Sequence, residues 1–335
     1  MKRVCILPGD GIGPEVIGCA TSVLKAATDH LEFVEGSIGQ SAFEAHGAYL
    51  PDETLDLMKS SDSTLFGAVT TPSAPDYVSP VLKFRKELDL FANLRPVRSF
   101  ARTGASGPID VVIVRENSEG MYTQNEVFDD TGVTTMRRVT RRACERIIGF
   151  AIDYAVRGGR SSICCVHKAN VLKASDGLFL SIFRNMMSGA GSTLKADEQL
   201  IDSAAMHLVT DPARFDVIVT LNMYGDILSD VAAGVAGGLG FAPSGNIGPK
   251  HSVFEPAHGS APDISGTGKA NPTAAILSGA MMLRHLDMAE TALSIERAVA
   301  SAYSSGHLTF DLGGRHGSES FTEHVLRAMR SRETL

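Results

Sequence analysis

Residues Phe215–Asp230 read FDVIVTLNMYGDILSD. Within them Asp216–Leu221 is mostly apolar or β-branched, which predicts a buried strand. Directly after it, Asp226 and Asp230 stand four residues apart. On a helix this spacing puts both carboxylates on one face, one turn apart. Like charges so placed repel by roughly 0.2–0.5 kcal/mol. A hard divalent cation between them removes the repulsion, because Mg²⁺ and Mn²⁺ favour carboxylate oxygens. A solvated helix start, with two acids favouring the helix dipole, explains the bare pair without any ligand. The location tips the balance toward a site, since α/β sheets place ligands at the carboxyl ends of strands.

The same alternation extends in both directions. Arg3–Leu7 predicts a first strand, followed by the glycine turn Gly9–Gly13 and the helical pattern EVIGCATSVLKAA. The turn spacing is G-x-G-x-G rather than the dinucleotide fingerprint, so it implies only a helix N-terminus able to receive an anion. Strands follow at Leu31–Gly36, Ser63–Ala68, Asp110–Val114 and Ser162–Val166, with a helix opening at Leu50-Pro51. Helices are predicted over Arg142–Val156, Asp176–Met187, after Asn271-Pro272, and from about Ala289 and Ser320. Residues 70–100 form a stretch rich in proline, serine and charge, and Glu126–Val139 predicts a hairpin or arm. The glycine-dense VAAGVAGGLGFAPSGNIG and the segment Phe254–Ile264 are expected as loops. Strands alternating with helices argue for an α/β architecture.

Bulk properties set limits. At 335 residues the chain can bury a large core, in two domains. A net charge of −7 disfavours nucleic acid and anionic membrane as partners. No apolar run approaches the roughly 20 residues that span a bilayer, and the N-terminal apolar run is too short for a signal peptide. The five cysteines (Cys5, Cys19, Cys144, Cys164 and Cys165) form no C-x-x-C, which reads as reduced, buried thiols in a cytoplasm.

Polar groups gather at the expected strand ends: Arg115, Tyr122, Lys168, Asp226 and Asp230, with Arg85, Arg95 and Asp202 on loops or helices. Arginine forks bind carboxylates bidentately, so three of them suit a substrate with two or three carboxylates. Three aspartates suit an octahedral Mg²⁺ or Mn²⁺, and Tyr and Lys suit general acid and base work. A structural salt-bridge network is the competing reading of the same residues.

Six motifs carry a family resemblance: GDGIGPEV at 9–16, FANLRP at 91–96, VRENSEGMY at 114–122, HKANVLK at 167–173, NMYGDILSD at 222–230 and HGSAPDISGTGKANP at 258–272. In this order they resemble the β-decarboxylating dehydrogenases that act on isocitrate, homoisocitrate and isopropylmalate. The resemblance implies an α/β fold that is not Rossmann. A large open-sheet domain (1–96 and 237–335) would carry the NAD site. A smaller central α/β domain (97–236) would carry the dimer interface, with an arm at about 124–140. It also implies roles. Arg85, Arg95 and Arg115 would clamp the malate carboxylates. Asp226 and Asp230 of one subunit and Asp202 of the other would bind the metal, with Asp202 also near the substrate. Lys168, again from the partner, would help take the hydroxyl proton, and Tyr122 would protonate the enol carbon. Ile12, Glu255, His258, Gly259, Ser260, Ala261, Asp263, Ile264, Asn271 and Asp311 would line the cofactor pocket. Asp263 could accept bonds from both adenosine ribose hydroxyls and would repel a 2′-phosphate, which favours NAD over NADP. The family's NADP-dependent members carry Lys-Tyr in place of this Asp-Ile pair.

Substrate choice would lie before Arg85, in VSPVLKFR. Ser79 stands about where isocitrate-type members bond a γ-carboxylate through serine, whereas Val81 and Leu82 could meet an isopropyl group. The expected reaction is oxidative decarboxylation of a 3-substituted (2R)-malate, leaning to isocitrate or homoisocitrate, with 3-isopropylmalate as the alternative. A non-catalytic regulatory subunit is a third reading, and it would be expected to lose the metal aspartates, the lysine or the tyrosine, all of which this chain keeps.

Overall fold

The computed structural model describes residues 1–72, 77–99, 108–189 and 194–331. Residues 73–76 and 100, within the proline- and serine-rich stretch, lie outside the described residues. In chain order the elements are β1 (Lys2–Gly9), α1 (Gly13–Ala27), β2 (Leu31–Glu35), α2 (Gln40–His46), α3 (Asp52–Ser60), β3 (Ser63–Ala68), α4 (Pro80–Glu87), β4 (Ala92–Arg98) and β5 (Asp110–Glu116). Then come the hairpin β6 (Glu126–Asp129) and β7 (Gly132–Thr135), α5 (Arg141–Arg157), β8 (Ser162–His167), α6 (Ser175–Gly189), β9 (Lys195–Leu200), α7 (Ile201–Thr210), β10 (Val217–Thr220) and α8 (Asn222–Ala236). The chain closes with β11 (Pro243–Ile247), β12 (Ser252–Pro256), α9 (Thr273–His285), α10 (Ala289–Ser304) and α11 (Ser318–Arg330).

One ten-stranded sheet organises these elements, in the order β2-β1-β3-β12-β11-β4-β5-β10-β8-β9. The two outer groups are parallel, and the central pairings β12–β11, β11–β4 and β4–β5 are antiparallel. Successive strand residues face opposite sides, so one strand feeds two cores. In β1, Val4 and Ile6 join the core under α1, while Cys5 and Leu7 pack with Leu55, Met58 and Phe84. In β5, Val112 and Val114 face Ile147 and Ile148 of α5, while Val111 and Ile113 face Leu208 and Leu228. Helices therefore cover both faces, as parallel strands with continuous apolar sequence require. All five cysteines are free and buried.

The sheet is continuous across the expected domain boundary. Residue 96 falls inside β4, which is laddered to β5 from Ala92↔Glu116 to Arg98↔Asp110.

The structure corrects several local expectations. The glycine-dense segment contains β11, and the segment from Phe254 begins inside β12 rather than in a loop. Pro243-Ser-Gly-Asn is poor strand sequence, yet β11 is fully buried between β12 and β4. Asn246 and Ser244 bond Asn93 of β4, and a side chain on Gly245 would meet the Phe254 ring at 2.8 Å. Residues 80–87, expected within an irregular stretch, form α4, with Pro80 in its first turn and Ser79 as its cap. Within the stretch expected as a hairpin or arm, β6 and β7 form a two-stranded hairpin, and all eight of its strand residues are exposed.

Candidate active site

The middle of β4, the end of β5, the last turn of α4 and the first half of α8 bring three arginines and two aspartates together. Arg115, the last residue but one of β5, is 1% exposed. Its Nε and Nη2 donate to Asn222 Oδ1 at 3.0 and 2.8 Å, and its Nη1 pairs with Asp226. Arg95 of β4 donates to Asn93 Oδ1 at 2.7 Å and to Ser229 Oγ at 2.6 Å. Its Nη1 lies 3.2 Å from Asp226 Oδ1 and 3.6 Å from Asp230 Oδ1. The two aspartates, one turn apart on α8, thus converge on a single cationic nitrogen. Arg85 of α4 reaches the group through Glu255 of β12, at 3.0 Å. Tyr122 donates its hydroxyl to Asp226, and its ring lies 4.9 Å from the Arg115 guanidinium.

Close packing of α8 on β5 makes this possible. A methyl group on Gly225 would meet Cβ and Cγ of Arg115 at 2.6 Å, so the glycine of NMYGD is the slot in which Arg115 lies.

The cluster shifts its own ionisations. Burial alone would raise the Asp226 carboxyl, but Arg115 and Arg95 outweigh it and hold it below its ordinary range. Asp230 is raised, by burial first, with Arg95 opposing. Arg115 is lowered to about 10 by burial and then by Arg95. Burial, and then the bond to Asp226, raise the Tyr122 phenol.

Lys168 and Asp202 form a separate, more exposed pair, 2.5 Å apart, at the end of β8 and the first turn of α7. Lys168 holds the Asp202 carboxyl below its ordinary range. Among the described residues no hydrogen bond or ion pair joins this pair to the arginine cluster. The fully buried Asp176, which the sequence reading did not single out, fixes the Lys168 turn. It accepts from the Lys168 backbone N–H at 2.7 Å and from Arg137 at 2.6 Å.

The expected cofactor residues divide between two loops and a helix start. Ile12 N donates to Ser260 O at 2.8 Å, and Ser265 Oγ donates to Gly11 O at 2.8 Å. A side chain on Gly11 would strike Ser260 O at 2.0 Å, so the glycine turn is spent on docking the 257–265 loop. Gly259, Ala261, Asp263 and Ile264 sit exposed on that loop. His258 turns Nδ1 to Gly259 O at 2.9 Å, while its Nε2 is buried without a partner among the described residues. Burial holds His258 below the usual imidazole range. Asn271 donates to Asp311 at 3.0 Å and accepts from Thr273 N, opening α9. Glu255, expected here, spends its carboxylate on Arg85 and Asn246. Ser79 Oγ accepts from Leu82 N at 3.4 Å as the α4 cap.

The family model for isocitrate/isopropylmalate dehydrogenase matches residues 3–327. The chain belongs to the isocitrate/isopropylmalate dehydrogenase family. It is 46% identical over 332 residues to the isocitrate/homoisocitrate dehydrogenase of Thermus thermophilus, covering 98% of this chain and 99% of that protein. It is 43% identical over 326 residues to the 3-isopropylmalate dehydrogenase of Methanothermobacter thermautotrophicus, covering 97% and 98%. Its fold matches the crystal structure of isocitrate dehydrogenase from Methylococcus capsulatus with a TM-score of 0.95 at 41% identity, covering 98% of this chain and all of the other. As a member of this family the chain is an oxidoreductase, a decarboxylating dehydrogenase of hydroxy acids that depends on a nicotinamide cofactor and on Mg²⁺ or Mn²⁺. No helix among the described residues is long and apolar enough to cross a membrane.

Proposed function

We propose that the chain oxidises and decarboxylates a 3-substituted (2R)-malate with NAD, leaning to isocitrate or homoisocitrate. It would do so as a cytoplasmic homodimer whose sites combine residues of both subunits. The observation that carries this reading is the pairing of Arg95 and Arg115 with Asp226 and Asp230, with Arg85, paired to Glu255, near enough for its charge to act on Asp226. Three guanidiniums give a carboxylate-rich substrate its forks. Asp226 and Asp230 already share one cationic nitrogen, so the same face fits a divalent ion, with Asp202 of the partner subunit as third ligand. When bound, the nicotinamide accepts the hydride and the ion polarises the hydroxyl oxygen as a Lewis acid. Lys168 of the partner subunit takes the hydroxyl proton. Tyr122, kept protonated by burial and by Asp226, supplies the proton to the carbon that has lost CO₂.

Lys168 and Asp202 are already paired, so they would enter a neighbour's site as a unit. The fully exposed hairpin supports the dimer, because an isolated two-stranded hairpin is marginal in water. Large apolar side chains are exposed on the hairpin and on two helices: Phe128, Met206 on α7 and Ile227 on α8. On the two-domain reading the large domain would take the strands from β2 to β4 and the small domain those from β5 to β9, although one sheet runs through both. On the cofactor loop the buried, unpartnered His258 Nε2 fits a bound nucleotide, and the exposed Asp263 carboxylate supports NAD over NADP. Five buried, free cysteines support the cytoplasm.

The 3-isopropylmalate reading has its own support. Ser79 is engaged as a helix cap, and the half-buried Val81 and Leu82 follow it. Assay of NADH absorbance with Mg²⁺ and isocitrate, homoisocitrate or 3-isopropylmalate decides the matter. The proposal expects the tricarboxylates to have the higher kcat/KM. A higher value for 3-isopropylmalate would overturn the leaning, and silence with all three would overturn the proposal.

A further inference from the structure

Three histidines, none of them given a role in the proposed reaction, meet on and beside the loop that carries Asp311. His307 follows α10, His316 lies in the next loop, and His324 is on α11. One ring nitrogen from each lies within 4.8 Å of the others. The His307 and His324 rings stack at 3.5 Å with 12° between their planes, and His316 stands edge-on to them at 5.2 and 4.8 Å. The backbone enforces the meeting. His316 N donates to Leu308 O at 3.1 Å, which folds the 307–317 loop back on itself, and Phe321 and Val325 bury the inner face of α11.

Nothing in the packing calls for three imidazoles here. All three are half-buried, and among the described residues no ring hydrogen-bonds to a protein group. Charged, they would repel one another and the nearby Arg315 and Arg327. Burial, and then His316, hold His307 below the usual imidazole range, so the neutral, metal-binding form is favoured.

We propose that His307, His316 and His324 form a binding site for a borderline divalent cation of the Zn²⁺, Co²⁺ or Ni²⁺ class, with solvent in the remaining position. Imidazole suits these ions, whereas Mg²⁺ and Mn²⁺ prefer oxygen. Metal–nitrogen bonds of about 2.0–2.1 Å in a tetrahedron separate the nitrogens by about 3.4 Å. The cluster reaches this by turning rings about χ2, a soft torsion for histidine. The bound ion would clip α10 to α11. It would also fix the loop carrying Asp311, which bonds Asn271 at 3.0 Å. The role is structural and lies outside the chemistry.

Metal-stripped full-length protein, in millimolar Mg²⁺ to occupy the carboxylate site, is titrated with Co²⁺. The expected result is one tightly bound Co²⁺ per chain with an intense visible band, as a four-coordinate nitrogen site gives. His324→Gln or His307→Asn should weaken that binding at least about 10-fold, since even loss of a ligand's supporting contact costs 10–100-fold. Unchanged Co²⁺ binding in both variants would overturn the proposal. Should a variant fail to fold, X-ray absorption at the cobalt edge of the unaltered protein still decides. Three imidazole scatterers support the site, and an oxygen-only shell refutes it.

Discussion

Replacing Gly225 by alanine tests whether α8 positions Arg115 by close contact. In a helix interior this exchange ordinarily stabilises by about 0.5–1 kcal/mol. Here the new methyl would meet Arg115 Cβ and Cγ at 2.6 Å, near the root of a side chain that Asn222 and Asp226 hold at its other end. Relieving the contact moves Arg115 or α8 by most of an ångström. Overpacking of this kind costs about 1–3 kcal/mol, which outweighs the helix gain and leaves a net loss of about 1 kcal/mol. A displaced carboxylate clamp should cost activity as well, on the order of 10²-fold in kcat/KM for a misplacement near 1 Å. Gly234 is the control within the same helix, because a methyl there meets nothing within 4 Å. Gly234→Ala should raise stability by about 0.5–1 kcal/mol and leave kcat/KM unchanged. Urea unfolding and steady-state kinetics read both quantities. A Gly225→Ala protein as stable and as active as Gly234→Ala would refute the reasoning.

Asp176→Asn removes the negative charge that faces Arg137 and leaves one acceptor oxygen where Arg137 and the Lys168 backbone N–H each had their own. It should cost about 3–5 kcal/mol in urea unfolding and lower kcat while cofactor affinity holds. Asp263→Ser should reduce kcat/KM for NAD about 10–100-fold, the worth of a lost hydrogen bond to a charged group, and narrow the preference over NADP. Burial would raise the Asp216 carboxyl, but the Ser161 N–H and Arg160 outweigh it and hold it below its ordinary range. A lowered folded value means that its stabilisation is present above about pH 4 and lost as pH falls through the folded value. Asp216→Asn should therefore flatten the acid limb of a stability–pH curve measured by circular dichroism, leaving the neutral-pH slope alone.

Much of the site was legible because its chemistry sits in short motifs. Asp226 and Asp230 share a helix face, as their spacing required, and Arg115 stands next to last in a strand, one residue past the apolar run Asp110–Val114 that predicted it. Asn222 and Gly225 stand inside the same motif, but their tasks, gripping and admitting Arg115, depend on a strand over a hundred residues away. Asp176 was missed for a related reason: its closest partners are a backbone N–H and Arg137, neither marked by periodicity. β11 was hidden because its Pro-Ser-Gly-Asn composition opposes strand formation, and backbone ladders to β12 and β4 together with side-chain bonds to Asn93 overrule that preference. The edge strand β9, KADEQL, is mostly exposed and lacks the apolar alternation that reveals a strand.

Subunit complementation probes the shared site most directly. Lys168→Met and Asp226→Asn proteins, each nearly inactive, are mixed, dissociated and reassociated, and heterodimers are counted by native mass spectrometry. If each site takes Lys168 from one chain and Asp226 from the other, every heterodimer holds one intact site, and the mixture regains about a quarter of wild-type activity. Heterodimer formation with no activity above the parents would contradict the account.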